Sequence, residues 1–221
     1  MAISAEILGE DAGSTESAYA WLRLAASVLI GTIGSIGLWS YVVALPAVQG
    51  DFGITRADAS LPYTLTMLGF ALGAAAIGGL VDRLGIVPPL IACTLALGGG
   101  FVASALAPNL WAFALASFLI GIGSSGAFAP LIADISHWFT RRRGIAVAVC
   151  SSGNYLGGAV WPPVVRHIIE TEGWRQNQLL IGIICVLTML PLLLVLRRRV
   201  EYHELEGAQL AAAGEIGRAH V

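Results

Sequence analysis

Few residues in this chain could do chemistry, and their placement narrows what that chemistry is. Asp82 and Arg83 stand side by side in Gly78-Gly79-Leu80-Val81-Asp82-Arg83-Leu84-Gly85, between two long apolar runs. Charges of this kind cost several kcal/mol each in hydrocarbon, so the octapeptide must be a turn at a membrane surface. Asp134 is the one acid of a later run, and Arg141-Arg142-Arg143 follows it. Deeper in the runs the polar groups are neutral: Ser35, Trp39 and Tyr41, then Ser124 and Ser125, then Ser151, Ser152, Asn154 and Tyr155. Such groups bond a neighbouring helix or their own backbone. Because they fall near mid-depth in the first, fourth and fifth runs, Ser35, Trp39, Ser124, Asn154 and Tyr155 are the candidates for the wall of a shared polar cavity.

Bond cleavage has little support. Gly123-Ser124-Ser125-Gly126 has the look of a buried nucleophile in an intramembrane serine protease, but that enzyme needs a histidine within hydrogen-bond reach. The sixth run has no histidine, and His137 and His167 fall at membrane surfaces. Cys93, Cys150 and Cys185 stand singly inside apolar runs, with no CxxC and no histidine at ligand spacing, so no disulfide frame, metal site or cofactor is expected.

Composition places these residues in a membrane. The chain is 57% hydrophobic and 12% charged, where soluble domains carry about 25% charged residues. All basic residues are arginines clustered at the ends of apolar runs, so a nucleic-acid partner is not expected. Residues 1–22 lack the basic start and apolar core of a signal peptide and read as a cytoplasmic tail.

A spanning helix needs about 20 apolar residues, and the sequence predicts six, an all-α polytopic unit over residues 23–199. The first runs over about 24–48. Thr55-Arg56-Ala57-Asp58 has the spacing of a capping box, placing the second from about 56 to 81. Pro88 and Pro89 suit the first turn of the third, 88–106. Asn109 is a good N-cap for the fourth, 110–139. The fifth, 145–165, should be broken or bent at Pro162-Pro163, and a polar loop over 166–178 leads to the sixth, 179–196. Glycines in the first five runs would let helix backbones approach closely.

One side of the bundle then holds Arg23, Arg83, Arg141, Arg142, Arg143 and Arg197 to Arg199, and the other only Arg56, Arg166 and Arg175. Excess positive charge marks the cytoplasmic side, so both termini and the Asp82 turn are expected there, in a multi-pass protein of the cell (inner) membrane.

Gly78-x-Leu80-Val81-Asp82-Arg83-x-Gly85 resembles the loop between helices 2 and 3 of the major facilitator superfamily of secondary transporters. The likeness extends to its monocarboxylate and oxalate/formate branch: Phe52 to Ser60 resembles the entry to helix 2, and His137-Trp138-Phe139-Thr140-Arg141-Arg142-Arg143-Gly144-Ile145-Ala146 the loop between helices 4 and 5. Ser152-Gly153, Gly157-Gly158, Pro162-Pro163 and Gly173-Trp174-Arg175 complete it. The resemblance implies a transporter of a small organic anion in the lipid bilayer, working by alternating access with a proton or counter-anion. It makes Asp82 a latch carboxylate facing a helix amino end in the other half of the transporter, and pairs Arg83 with Asp134. Two departures bear on this. Ile86 and Val87 replace two bases after Gly85, and Ser117 stands where an arginine used by proton-coupled relatives often precedes Gly121.

Superfamily members have two six-helix halves built from 3+3 inverted repeats, so six spans read as the amino-terminal half, lacking its carboxyl-terminal partner. Residues 200–221 read as a remnant of the cytoplasmic linker. Within it, 215–221 resembles a translated sequencing-library adapter, which would leave His220 without a role. The alternative is a six-helix transporter or channel completed as a homodimer.

Overall fold

The computed structural model describes residues 17–197. It is helical throughout, with no strand among the described residues. Residues 1–16 and 198–221, which include most of the expected tail, the linker remnant and the adapter-like ending, lie outside them.

The first span starts earlier than its apolar run suggests. Ser17 accepts a hydrogen bond from the Ala20 amide and caps α1, Ala18–Gly34. At Ser35 the helix is interrupted and resumes as α2, Ile36–Phe52. Gly53 ends it in the left-handed conformation, φ 61°, which glycine adopts without a Cβ clash.

The expected capping box is half formed. The Asp58 amide donates to the Thr55 hydroxyl at 3.2 Å, but the Thr55 hydroxyl itself donates to the Asp58 carboxylate at 2.7 Å, so that carboxylate bonds a side chain instead of an amide. A short 3₁₀ turn, Asp58–Ser60, leads into α3, Leu61–Leu84, with Pro62 in its first turn. Gly85, φ 81°, stops α3 and α4 follows, Val87–Ala105, opened by Pro88 and Pro89.

Asn109 caps α5, Leu110–Ser125, accepting from the Ala112 amide at 2.9 Å. The fourth span is not one helix: α6, Ala129–Trp138, begins after a break at residues 126–128. Pro130 explains it, because the proline has no amide to donate to the carbonyl four residues back, and its ring crowds that carbonyl.

The fifth span, by contrast, is not broken. α7, Arg143–Glu172, runs through Pro162 and Pro163, and the loop placed over 166–178 shrinks to Gly173, φ 88°. α8, Trp174–Val195, follows at once.

Five stretches are long and apolar enough to cross a membrane: Ala18–Phe52, Asp58–Leu84, Val87–Ala105, Leu110–Trp138 and Trp174–Val195. α7 is more polar, though its 30 residues reach about 45 Å at helical rise.

Small residues set the packing. A Cβ on Gly121 would overlap the Thr66 carbonyl, and one on Gly69 the Phe118 carbonyl, so α3 and α5 cross glycine against backbone in both directions. The two interruptions also meet. Gly34, beside the Ser35 break, packs on Ala127 inside the α5–α6 break closely enough to leave no room for a side chain. Tyr19 donates a hydrogen bond to the Val195 carbonyl, so both described termini lie at one end of the bundle, called here the terminal end.

Candidate functional site

The terminal end carries the strongest electrostatic assembly. Arg23 lies on α1 and is only 1% exposed. Its Nε donates to Asp134 Oδ2 at 2.6 Å and its Nη2 to Oδ1 at 2.7 Å, a two-pronged fork that matches guanidinium to carboxylate. Trp138 lies four residues after Asp134 on α6 and so shares its face, and its ring centroid is 4.9 Å from the Arg23 guanidinium. Tyr19, one turn before Arg23, accepts from Nη1 at 3.4 Å and packs edge-on against Trp138 at 5.2 Å. These contacts hold the first, fourth and sixth spans together.

The expected pairing of Arg83 with Asp134 is not made in this structure: Asp134 is paired with Arg23, and Arg83 is exposed in the last turn of α3. The resemblance pointed to the nearest motif base. The fold brings in an arginine 111 residues away in sequence, whose one available sequence signal was a lone charge at the start of an apolar run.

Asp82 is exposed and lines, with Arg23, Asp134 and His137, a cavity of about 400 Å³. Gly78 is exposed, and a Cβ there would meet nothing within 4 Å. Gly85 supplies the positive φ that turns the chain. Arg141, Arg142 and Arg143 are all exposed, and Arg143 donates to the Ser136 hydroxyl at 3.3 Å, tying the loop back to α6.

The five candidate cavity residues separate. Ser35 and Ser124 are buried, and each hydroxyl donates to its own helix at 2.9 Å, Ser35 to Thr32 and Ser124 to Ile120. Gly157 faces Ser35 and Gly37 faces Ser124 with no room for a Cβ. Both serines thus sit in close helix contacts in this structure. A serine side chain is small enough to fit either role, and only the rotation of its helix decides which. Trp39 is 36% exposed against Gly158 of α7, Asn154 is half-buried and Tyr155 is 70% exposed. These three belong to α2 and α7. Trp161 was missed by sequence reasoning: its indole donates to the Thr32 carbonyl at 2.7 Å, while the Thr32 hydroxyl lies 2.8 Å from the Val28 carbonyl and 3.0 Å from that of Gly153.

The opposite end has its own arginine. Arg175 Nη1 donates to the carbonyls of Ala105 at 3.1 Å and Ala107 at 2.9 Å, and Nη2 to Asp51 at 2.9 Å. It thereby satisfies carbonyls left over at the end of α4 and joins the first, third and sixth spans. Its guanidinium stacks over Trp174 at 4.4 Å and Phe52 at 5.7 Å.

The structure thus has charged clusters at both ends of an apolar bundle, and its first and fourth spans are interrupted where they touch. The sequence profile described as Major Facilitator Superfamily matches residues 12–217. The chain is 30% identical over 193 residues to Monocarboxylate transporter 11 of Homo sapiens, covering 84% of this chain and 41% of that protein. It is 29% identical over 141 residues to the Probable sulfoacetate transporter SauU of Cupriavidus necator, covering 63% of this chain and 33% of that protein. It is 29% identical over 153 residues to the Sialic acid transporter NanX of Escherichia coli, covering 69% of this chain and 36% of that protein. The chain spans about a third to two fifths of the length of these relatives. They are transporters and not enzymes. A profile match over nearly the whole chain, with relatives of one kind, gives the family: the chain belongs to the major facilitator superfamily.

Proposed function

We propose that this six-helix unit is the amino-terminal half of a secondary transporter that moves a small organic anion across the cell membrane by alternating access. The observation that carries the reading is the meeting of two interrupted spans, α1–α2 and α5–α6, at Gly34 and Ala127. Interrupted helices near mid-depth are how such transporters build a substrate site at the interface of repeats. Trp39, Asn154 and Tyr155 would supply the wall that this half presents. Among the described residues no arginine lies between the two charged ends, so the cation that neutralises the substrate would come from the second six-helix half. The three relatives named above carry names for a monocarboxylate, a sulfoacetate and a sialic acid, each an anion, which supports that substrate class.

The excess of arginines at the terminal end supports a cytoplasmic position for both termini. There the Asp82 turn would serve as the latch: an exposed carboxylate at the end of α3, placed to meet a helix amino end of the second half when the transporter is closed inward. A proton or counter-anion would complete the cycle.

Reconstituting the longest reading frame that contains this sequence into proteoliposomes tests the proposal. Labelled monocarboxylates and sulfoacetate should show saturable counterflow, and an uncharged analogue of the same size should not. Accumulation of a cation with no carboxylate counterflow would overturn it, and transport by a cross-linked dimer of the 221-residue chain alone would favour the homodimer instead.

A further inference from the structure

Asp134 is the carboxylate that the superfamily pattern assigns to Arg83, yet both of its oxygens are bound by Arg23. We propose that Arg23 is the positioning residue of the Asp82 turn: by gripping Asp134 it fixes α6 and the wall of the cavity that Asp82 shares, and Arg83 takes no part in that contact. The link to transport rests on the latch reading above, while the contact itself stands on geometry.

Five observations converge. Arg23 is 1% exposed, and breaking a buried, hydrogen-bonded ion pair of this kind is costly, which favours keeping the fork made. The guanidinium is also held by the Trp138 ring and the Tyr19 hydroxyl. Tyr19 is itself tied to the Val195 carbonyl, so the grip extends to the sixth span. Arg23, Asp82 and Asp134 line one cavity, so the Arg23 guanidinium offsets part of the charge of the two carboxylates there, whereas Arg83 is exposed and does not line it. Ile86, standing where the superfamily pattern has a base, lines that cavity, and Arg23 is the one arginine among its described lining residues.

The test uses the purified chain in detergent. Ala133 is exposed and lines the same cavity, so Ala133→Cys gives a reporter thiol there. The native cysteines Cys93, Cys150 and Cys185 are buried, and the parent protein supplies the blank. In the A133C background, Arg23→Gln and Asp134→Asn should each raise the rate of maleimide labelling about fivefold, and the two together should add nothing, because they break one contact. Arg83→Gln should leave the rate within about twofold, the behaviour of a side chain that shares no partner with the reporter site. Exchanging the charges, Arg23→Asp with Asp134→Arg, should bring the rate back toward the parent, a rescue that loss of packing alone would not give. Should Arg23→Gln fail to fold, Arg23→Lys keeps the charge without the fork and should give an intermediate rate. Faster labelling from Arg83→Gln with none from either Arg23 variant, or additive effects of R23Q and D134N, would overturn the inference. Labelling does not measure transport, so a reconstituted protein that moves no anion would defeat the transport reading and leave this one standing.

Discussion

The Arg175 clasp yields a ranked set of stabilities. Arg175→Met removes two hydrogen bonds from a charged donor to backbone carbonyls, the ion pair with Asp51, and the stacking on Trp174 and Phe52. Hydrogen bonds to charged groups are worth about 1.5 kcal/mol each at the low end, and the stacking adds about 0.5 kcal/mol. The ion pair adds little, because its side chains are 43% and 44% exposed and water screens it, leaving well under about 1 kcal/mol. Discounting the whole for the exposure of Arg175 gives about 2 to 3 kcal/mol for R175M, most of it from carbonyls left without a donor. Asp51→Asn should lose only the screened pair, and Arg175→Lys should fall between, keeping charge but losing the fork. A thiol-reactive dye can follow heating in detergent, since it reports exposure of the three buried cysteines as the bundle opens. At about 2 to 4 °C per kcal/mol for a chain of this size, R175M should melt about 5 to 10 °C below the parent and D51N within about 3 °C. Equal losses for D51N and R175M would refute the reasoning, because they would make the exposed ion pair the main element of the clasp.

Gly121→Leu should prevent correct assembly, read as loss of a monodisperse peak in detergent, because its side chain would enter the Thr66 backbone. Gly78→Ala should raise the melting temperature by about 1 to 4 °C, since a Cβ there meets nothing within 4 Å and alanine is favoured over glycine inside a helix by about 0.5 to 1 kcal/mol. Asp82→Asn should abolish anion uptake by the reconstituted transporter while membrane insertion and melting temperature stay at parental values, and unchanged uptake would sink the latch. Ser124→Ala should leave the apparent affinity for the anion within about twofold, because its hydroxyl bonds its own helix, where losing a hydroxyl that bound substrate would cost about tenfold or more.

Much of the fold was legible because a bilayer constrains depth, and depth is a property of sequence. Charges must sit at the ends of spans, so the positions of Asp82, Arg83 and the arginine run after Asp134 followed directly from hydrocarbon and water. Local chemistry also read well: Asn109 caps α5, Pro88 and Pro89 open α4, and Gly85 turns the chain. Proline was the least reliable sign, since Pro130 interrupts its span while Pro162 and Pro163 lie inside a continuous helix. The missing amide is the same in each case, and what differs is whether the surroundings hold the helix together across it.

Sequence by itself therefore determined which residues are apolar and spanning, where the turns fall, and which charges the membrane forces to its surfaces. Only the tertiary structure decided how each helix is rotated and what it faces. That rotation put Ser35 and Ser124 into helix contacts, left Trp39 and Tyr155 partly open, and gave Asp134 to Arg23 instead of Arg83. The physical reason is that hydropathy fixes depth within a bilayer but not direction around a helix axis, and direction here is set by glycines that admit a neighbouring backbone on one side only.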